Sequence, residues 1–328
     1  MRSRMMRCLG ATLALLALAV APAVAADAAS GYPNKPIRWV LPFPPGGSTD
    51  VVVRIVGPRL SEVFGQQVVI DNRPGAGTNI GMDIVAKAAP DGYTMLLSTA
   101  SLAINSTLYR KLSFDPVRDL APVTLLTNTP NMMAVHPALP AKTVREFIDL
   151  AKAKPGGLSY GSSGNGASNH LAMELLKVMA GIDVIHVPYK GGGPAQVDLI
   201  AGQIQALFNP PSTLMPHVRN GRVRAVAVGS RKRIAIAPEM PTFDESGVPG
   251  YEAGVWFGLL VPSGTPKAII DRLNREVTKI LAAPDVAERL TSLGYEPLPG
   301  TPQAFAAFIQ SEIGKWSKVV KASGARVD

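Results

Sequence analysis

Short apolar runs alternate along this chain with stretches whose apolar positions recur at helical spacing. Ile37 to Pro42 reads as a strand. Val52, Ile55, Val56, Leu60 and Val63 then share one face of a predicted helix over 51–64, with a kink expected at Gly57-Pro58. Gln67 to Asp71 is a second predicted strand, the turn NRPGAG over 72–77 leads into a helix near 78–88, and Thr94 to Ser98 is a third strand. This β-α-β-α-β order predicts an α/β fold whose sheet is mostly parallel and covered by helices. Val123–Thr127 and Met132–Val135 read as two further strands, with a crossing between lobes placed at Asn128-Thr129-Pro130.

The same alternation then restarts. A helix is predicted over 143–154, with Thr143 and Glu146 in capping-box spacing. Strands near 158–160, 184–187, 204–208 and 223–228 alternate with helices near 167–180, 193–201 and 213–219. The return crossing is expected near Gly250 to Gly254. A strand over 255–261 and helices over 266–282, 284–293 and 302–322 complete the chain. The expectation is one lobe over 26–129 and 252–328, built from both ends of the chain, and a second over 130–251.

Two turns stand out. LPFPPGGSTD, Leu41 to Asp50, takes a strand into a helix, with Ser48 or Thr49 suited to the N-cap. YGSSGNGASNH, Tyr160 to His170, does the same in the second half. A helix start presents free N–H groups and the positive end of the dipole, so it attracts a carboxylate or phosphate without a basic side chain. The two starts are expected to face each other across a cleft and hold one small anion. Lys190, in YKGGGP after a strand, could screen that anion, and Trp256-Phe257 could wall the cleft.

Length and charge refine this picture. The 328 residues suit two domains. The first 25 or so residues read as a signal peptide: Arg2, Arg4 and Arg7, then apolar Leu9 to Val20, then Ala23-Val24-Ala25. That apolar run is too short to span a bilayer. The single cysteine, Cys8, lies in this signal segment, before the apolar run, so the mature chain is expected to carry no thiol. Removing three arginines takes the formal charge from +9 to 9 − 3 = +6, which favours anionic solutes. The basic residues are scattered without aromatic interleaving, so no nucleic-acid partner is expected.

Enzyme signatures fail on inspection. G-x-S-x-G breaks at Asn165, G-x-G-x-x-G breaks at Asn169, and no G-K-[ST] occurs. The four histidines lack zinc-motif spacing, so no metal and no cofactor is expected. His170, beside the second helix start, could contact ligand or brace its loop. A secreted serine hydrolase using Ser162 or Ser163 with His170 is the alternative reading, and it lacks both an acid and a nucleophile elbow.

YPNKPIRWVLPFPPGGSTD, DNRPGAGTNIG, PDGYTMLLSTAS, YGSSGNGASNHLAMELL, VPYKGGGPA and GVWFGLLVPSGTP occur in this order. With them the chain resembles the Bug-type solute-binding proteins of tripartite tricarboxylate transporters, the TctC family, over essentially its whole mature length. The resemblance implies a two-lobed, type II-like periplasmic-binding-protein fold with the ligand cleft between lobes. It implies a non-enzymatic, periplasmic protein that captures a dicarboxylate, tricarboxylate or aromatic acid for integral-membrane permease subunits. A monomer is expected by analogy. By position it implicates Phe43, Pro44, Gly46, Gly47 and Ser48, with Ser162, Ser163, Gly164, Ala167 and Ser168 opposite. Thr78, Asn79, Ser101 and Trp256 would line the walls. Asn209 stands where many members carry an acid, which favours a plain carboxylate over an ammonium-bearing solute.

Overall fold

The computed structural model describes residues 31–327, so the signal-peptide reading and Cys8 lie outside the described residues. In chain order the elements are β1 (Ile37–Leu41), α1 (Ser48–Phe64), β2 (Val68–Asn72), α2 (Asn79–Ala86), β3 (Thr94–Ser98), α3 (Ser101–Leu108), β4 (Leu120–Pro130) and β5 (Met132–Val135). They continue as α4 (Val144–Ala153), β6 (Ser159–Ser162), α5 (Ser168–Ala180), β7 (Ile185–Pro188), α6 (Gly192–Ile200), β8 (Ala206–Asn209), α7 (Pro211–Arg219) and β9 (Arg224–Val228). The last part is β10 (Gly254–Pro262), α8 (Lys267–Ala282), α9 (Pro284–Ser292), β11 (Glu296–Pro297) and α10 (Pro302–Ser323).

Two sheets form, ordered β2-β1-β3-β10-β4-β11 and β7-β6-β8-β5-β9. The β-α-β units pair in parallel, β1 with β2 and β3, and β6 with β7 and β8. The parallel expectation holds for these units and not for the crossing strands. β10 runs antiparallel to β3 and β4, and β5 runs antiparallel to β8 and β9. The reason is shared: β5 and β10 each enter their sheet from the other lobe, with no crossover helix to reverse them.

The predicted capping box forms, with the Glu146 amide donating to Thr143 Oγ1 at 3.2 Å and the Thr143 amide donating back to Glu146 Oε2. Helix α1 runs as one element through Gly57-Pro58. Helix α3 was not legible in the sequence. Ser101, Leu102, Ala103, Ile104 and Asn105 are all buried, so no one-sided apolar stripe marks it.

The core follows the strand period of two. Trp39, Met95, Leu97, Val255 and Phe257 pack beneath α1 and α8, whereas Val40, Leu96, Trp256 and Leu260 face α2, α3 and α10. Leu171 of α5 joins this second cluster, so a helix of the second lobe packs into the core of the first.

The link from β4 to β5 is Asn131 alone. Its N–H donates to the Ala253 carbonyl at 3.0 Å, and its carbonyl accepts from the Gly229 amide at 2.7 Å. Both inter-lobe segments are thereby tied together at one point.

Candidate functional site

A cleft of about 310 Å³ lies between the lobes. Phe43, Pro44, Gly46, Gly47, Ser48 and Thr49 line it from the β1–α1 turn. Ser163, Ala167, Ser168 and Asn169 line it from the opposite lobe. The two helix starts thus border one space.

The local geometry leaves both starts open. The N-cap of α1 is Gly47, extended at φ −85° and ψ 178°, rather than Ser48 or Thr49, and no side chain caps it. The N-cap of α5 is Ala167, again with no side-chain cap. An alanine or glycine at this place offers no oxygen to the first-turn amides, so those amides remain for a ligand. Gly46, at φ +84°, makes the turn that only glycine takes readily.

A third start joins them. Helix α6 begins after Gly191, and Lys190 through Pro194 line the same cleft. Gly191 sits at φ +132°, and a Cβ there would lie 2.8 Å from Pro44 Cγ of the other lobe. Glycine is therefore what lets the two lobes approach at this edge. Lys190, exposed at the rim, is the single charged side chain among the described residues lining the cleft. With the positive ends of three helix dipoles, it makes the space electropositive.

The loop before α5 is braced internally. The Ser163 amide donates to Asn169 Oδ1 at 3.0 Å, and Asn169 Nδ2 donates to Ser163 Oγ at 3.0 Å and Asn209 Oδ1 at 3.1 Å. Asn209 Nδ2 in turn donates to the Gly192 carbonyl at 3.3 Å. Asn209 lines the cleft, yet its amide is engaged in fixing the α5 and α6 starts relative to each other.

Several residues expected at the wall sit elsewhere. Ser162 is fully buried, with its Oγ 2.6 Å from His186 Nε2. His170 is also buried: its Nδ1 accepts from the Gly166 amide at 3.2 Å, and its ring stacks on His186 at 4.1 Å. Of its two readings, bracing the loop is the one this contact matches. Burial pushes the His170 imidazole down to about 4 and that of His186 down to about 3, with nearby positive charge adding to both. The serine–histidine pairing is therefore Ser162 with His186, shut away from the cleft.

Ser101 is buried at the start of α3, and Thr99, whose Oγ1 accepts from the Ser101 amide at 3.3 Å, lines the cleft in its place. Asn79 receives Asn105 Nδ2 at 2.8 Å and does not reach the wall. Thr78 and Gly164 line a neighbouring hollow of about 400 Å³ that shares Phe43, Pro44 and Ser163 with the cleft. Trp256 points to the far face of its sheet, where Nε1 donates to Glu312 Oε2 at 2.9 Å. Adjacent strand residues alternate faces, so Phe257 is the aromatic that reaches the cleft.

Asn131, Gln196, Thr213 and Val255 also line the cleft and carried no sequence signal. Asn131 Nδ2 and Oδ1, Thr49 Oγ1 and Gln196 Oε1 are buried atoms without a hydrogen-bond partner among the described residues.

The family model described as the tripartite tricarboxylate transporter family receptor, TctC, matches residues 52–325. Protein BugT of Bordetella pertussis is 38% identical over 312 residues, covering 94% of this chain and 96% of that protein. An R. palustris protein solved with adipate superposes with a TM-score of 0.86 at 37% identity, covering 89% of this chain and 98% of that one. MatC from Rhodopseudomonas palustris, with bound malate, gives a TM-score of 0.84 at 33% identity, covering 88% and 100%.

Proposed function

This chain belongs to the TctC family of tripartite tricarboxylate transporter receptors, and on that premise we propose that it captures one small organic carboxylate between its lobes and delivers it to permease subunits of such a transporter. The observation that carries the reading is the pair of uncapped helix starts, one from each lobe, bordering a cleft in which Lys190 is the one charged side chain among the described residues that line it. Backbone amides with aligned dipoles stabilise a carboxylate there, and the protein performs no chemistry on it. Adipate and malate in the related structures support a dicarboxylate among the acids to test.

The lobes are 26–129 with 252–328, and 130–251; they close about Asn131 and the 250–254 segment. The protein acts as a monomer in the periplasm after removal of residues 1–25, with no cofactor, metal or nucleic acid. Among the described residues no helix is long and apolar enough to cross a membrane. Titration calorimetry on ligand-stripped protein tests the reading, using succinate, malate, tricarballylate, citrate, adipate, phenylacetate and mandelate. Saturable one-to-one binding of at least one acid is expected. Folded protein that binds none of the seven contradicts it.

A further inference from the structure

We propose that the solute is a hydroxycarboxylate, and that Asn131 reads its hydroxyl group; this deepens the carboxylate reading and rests on it. A cleft built for a bare carboxylate needs donors alone, because a carboxylate only accepts hydrogen bonds. The helix starts supply those donors. The wall goes further and also carries acceptors: Asn131 Oδ1 and Gln196 Oε1 are buried without a donor among the described residues, and Thr49 Oγ1 is likewise unmatched. A buried acceptor left unmet is costly, so the solute that suits this wall brings donors of its own.

Two kinds of donor are open to a small organic acid, an ammonium group or a hydroxyl. No Asp or Glu is among the described residues lining the cleft, and the charges it does hold are Lys190 and the positive helix ends. An ammonium would enter an electropositive space with no counter-charge. A hydroxyl is neutral, donates once and accepts as well. Asn131 presents the matching pair, one unmet acceptor and one unmet donor on the same amide, and the match survives a flip of that amide.

Asn131 is also held still. Its side chain is fully buried, and its backbone is bonded on both sides to the inter-lobe segments at Ala253 and Gly229. The amide is thus preorganised at the point about which the lobes turn. A site built to hydrogen-bond a hydroxyl discriminates against the analogue that lacks it.

The test compares acids that differ by one hydroxyl: malate against succinate, citrate against tricarballylate, and mandelate against phenylacetate. Calorimetry on the ligand-stripped native protein gives the ratio of dissociation constants in each pair. The expected result is a hydroxy acid bound about tenfold or more tightly than its partner in whichever pair binds. In Asn131→Leu that ratio falls to within about twofold of one. In Gln196→Met, a half-buried site on α6, it falls by a smaller factor, about threefold. Should Asn131→Leu fail to fold by circular dichroism, the native ratios and Gln196→Met decide. Equal or tighter binding of the deoxy acid overturns the inference and leaves the carboxylate reading standing, as does a ratio unchanged in both variants. Binding of adipate but none of these six acids overturns the inference and leaves the carboxylate reading standing; binding of none of the seven removes both.

Discussion

The two helix starts that border the cleft are built by different means. The β1–α1 turn is held largely from outside itself: Asn72 Nδ2 donates to the Phe43 carbonyl at 2.9 Å and the Tyr295 hydroxyl to the Ser48 carbonyl at 3.3 Å, while within it Asp50 Oδ2 accepts from the Gly46 amide at 3.2 Å and from Arg54 Nε at 2.7 Å. The β6–α5 loop is dense with side-chain bonds, from Ser162 to His186, Asn169 to Ser163 and Asn209, and His170 to the Gly166 amide. Yet both end in a residue that leaves the first-turn amides uncapped. Side-chain polarity near a helix start therefore measures how the loop is braced, and the absence of a capping oxygen measures what is left for a ligand.

The sharpest way to break this comparison is to install the missing cap. Gly47→Asp places a carboxylate where the ligand's would sit, and the extended backbone there has room, with Pro44 O 3.9 Å from the new Cβ. We expect affinity for the bound acid to fall by about 100-fold while thermal stability holds or rises. Ala167→Asp is the same experiment on the other lobe, with an expected loss of about 30-fold. Retained affinity in either variant would remove that start from the grip.

Acidification separates the two regions by stability. All four histidines lie between 136 and 217. His170 and His186 are held neutral, at about 4 and about 3, against an ordinary value of 6.5. Between pH 6.5 and about 4 the unfolded chain takes up protons that the folded chain refuses, so stability falls as pH drops and is restored above 6.5. The first unit below 6.5 costs about 2 kcal/mol for the two groups together. Melting curves across this range check it, and His186→Gln is expected to flatten the slope.

Removing a brace is the next smaller effect. Asn169→Ala frees the Ser163 loop, with an expected loss of about 1 kcal/mol in stability and about tenfold in affinity. Asp50→Asn in the β1–α1 turn is expected to cost about threefold, since Asn72 and Tyr295 also hold that turn. Thr78→Gly acts in the opposite direction. Thr78 is held at φ +84°, a conformation unfavourable for a β-branched residue, and its replacement is expected to add about 1 kcal/mol of stability with affinity little changed. Urea unfolding and calorimetry together check all three.

Much of this architecture was readable from hydrophobic spacing. One-sided stripes such as Val52, Val56 and Leu60 need a single partner layer, and α1 supplies that face to its sheet. Burial on nearly all sides erases the same signal, which is why α3 leaves no periodic pattern. At the site, LPFPPGGSTD was legible because glycine and proline report the backbone directly. Trp256 and Phe257 were not separable, since a strand's two faces become distinct only once the sheet's neighbours are known. Ser162 and His170 looked like ligand contacts because small polar residues that brace a loop and those that touch a solute are chemically alike. Asn131 left no pattern at all: it is one residue between two strands, and its place follows from both sheets being complete.

A crystal structure of ligand-stripped protein resaturated with the tightest-binding acid of the panel tests the central claim most directly. The account predicts one carboxylate whose oxygens lie within hydrogen-bond distance, about 2.7–3.2 Å, of first-turn amides of both α1 and α5. A carboxylate held by one lobe alone, or held by side chains away from both helix starts, would contradict it.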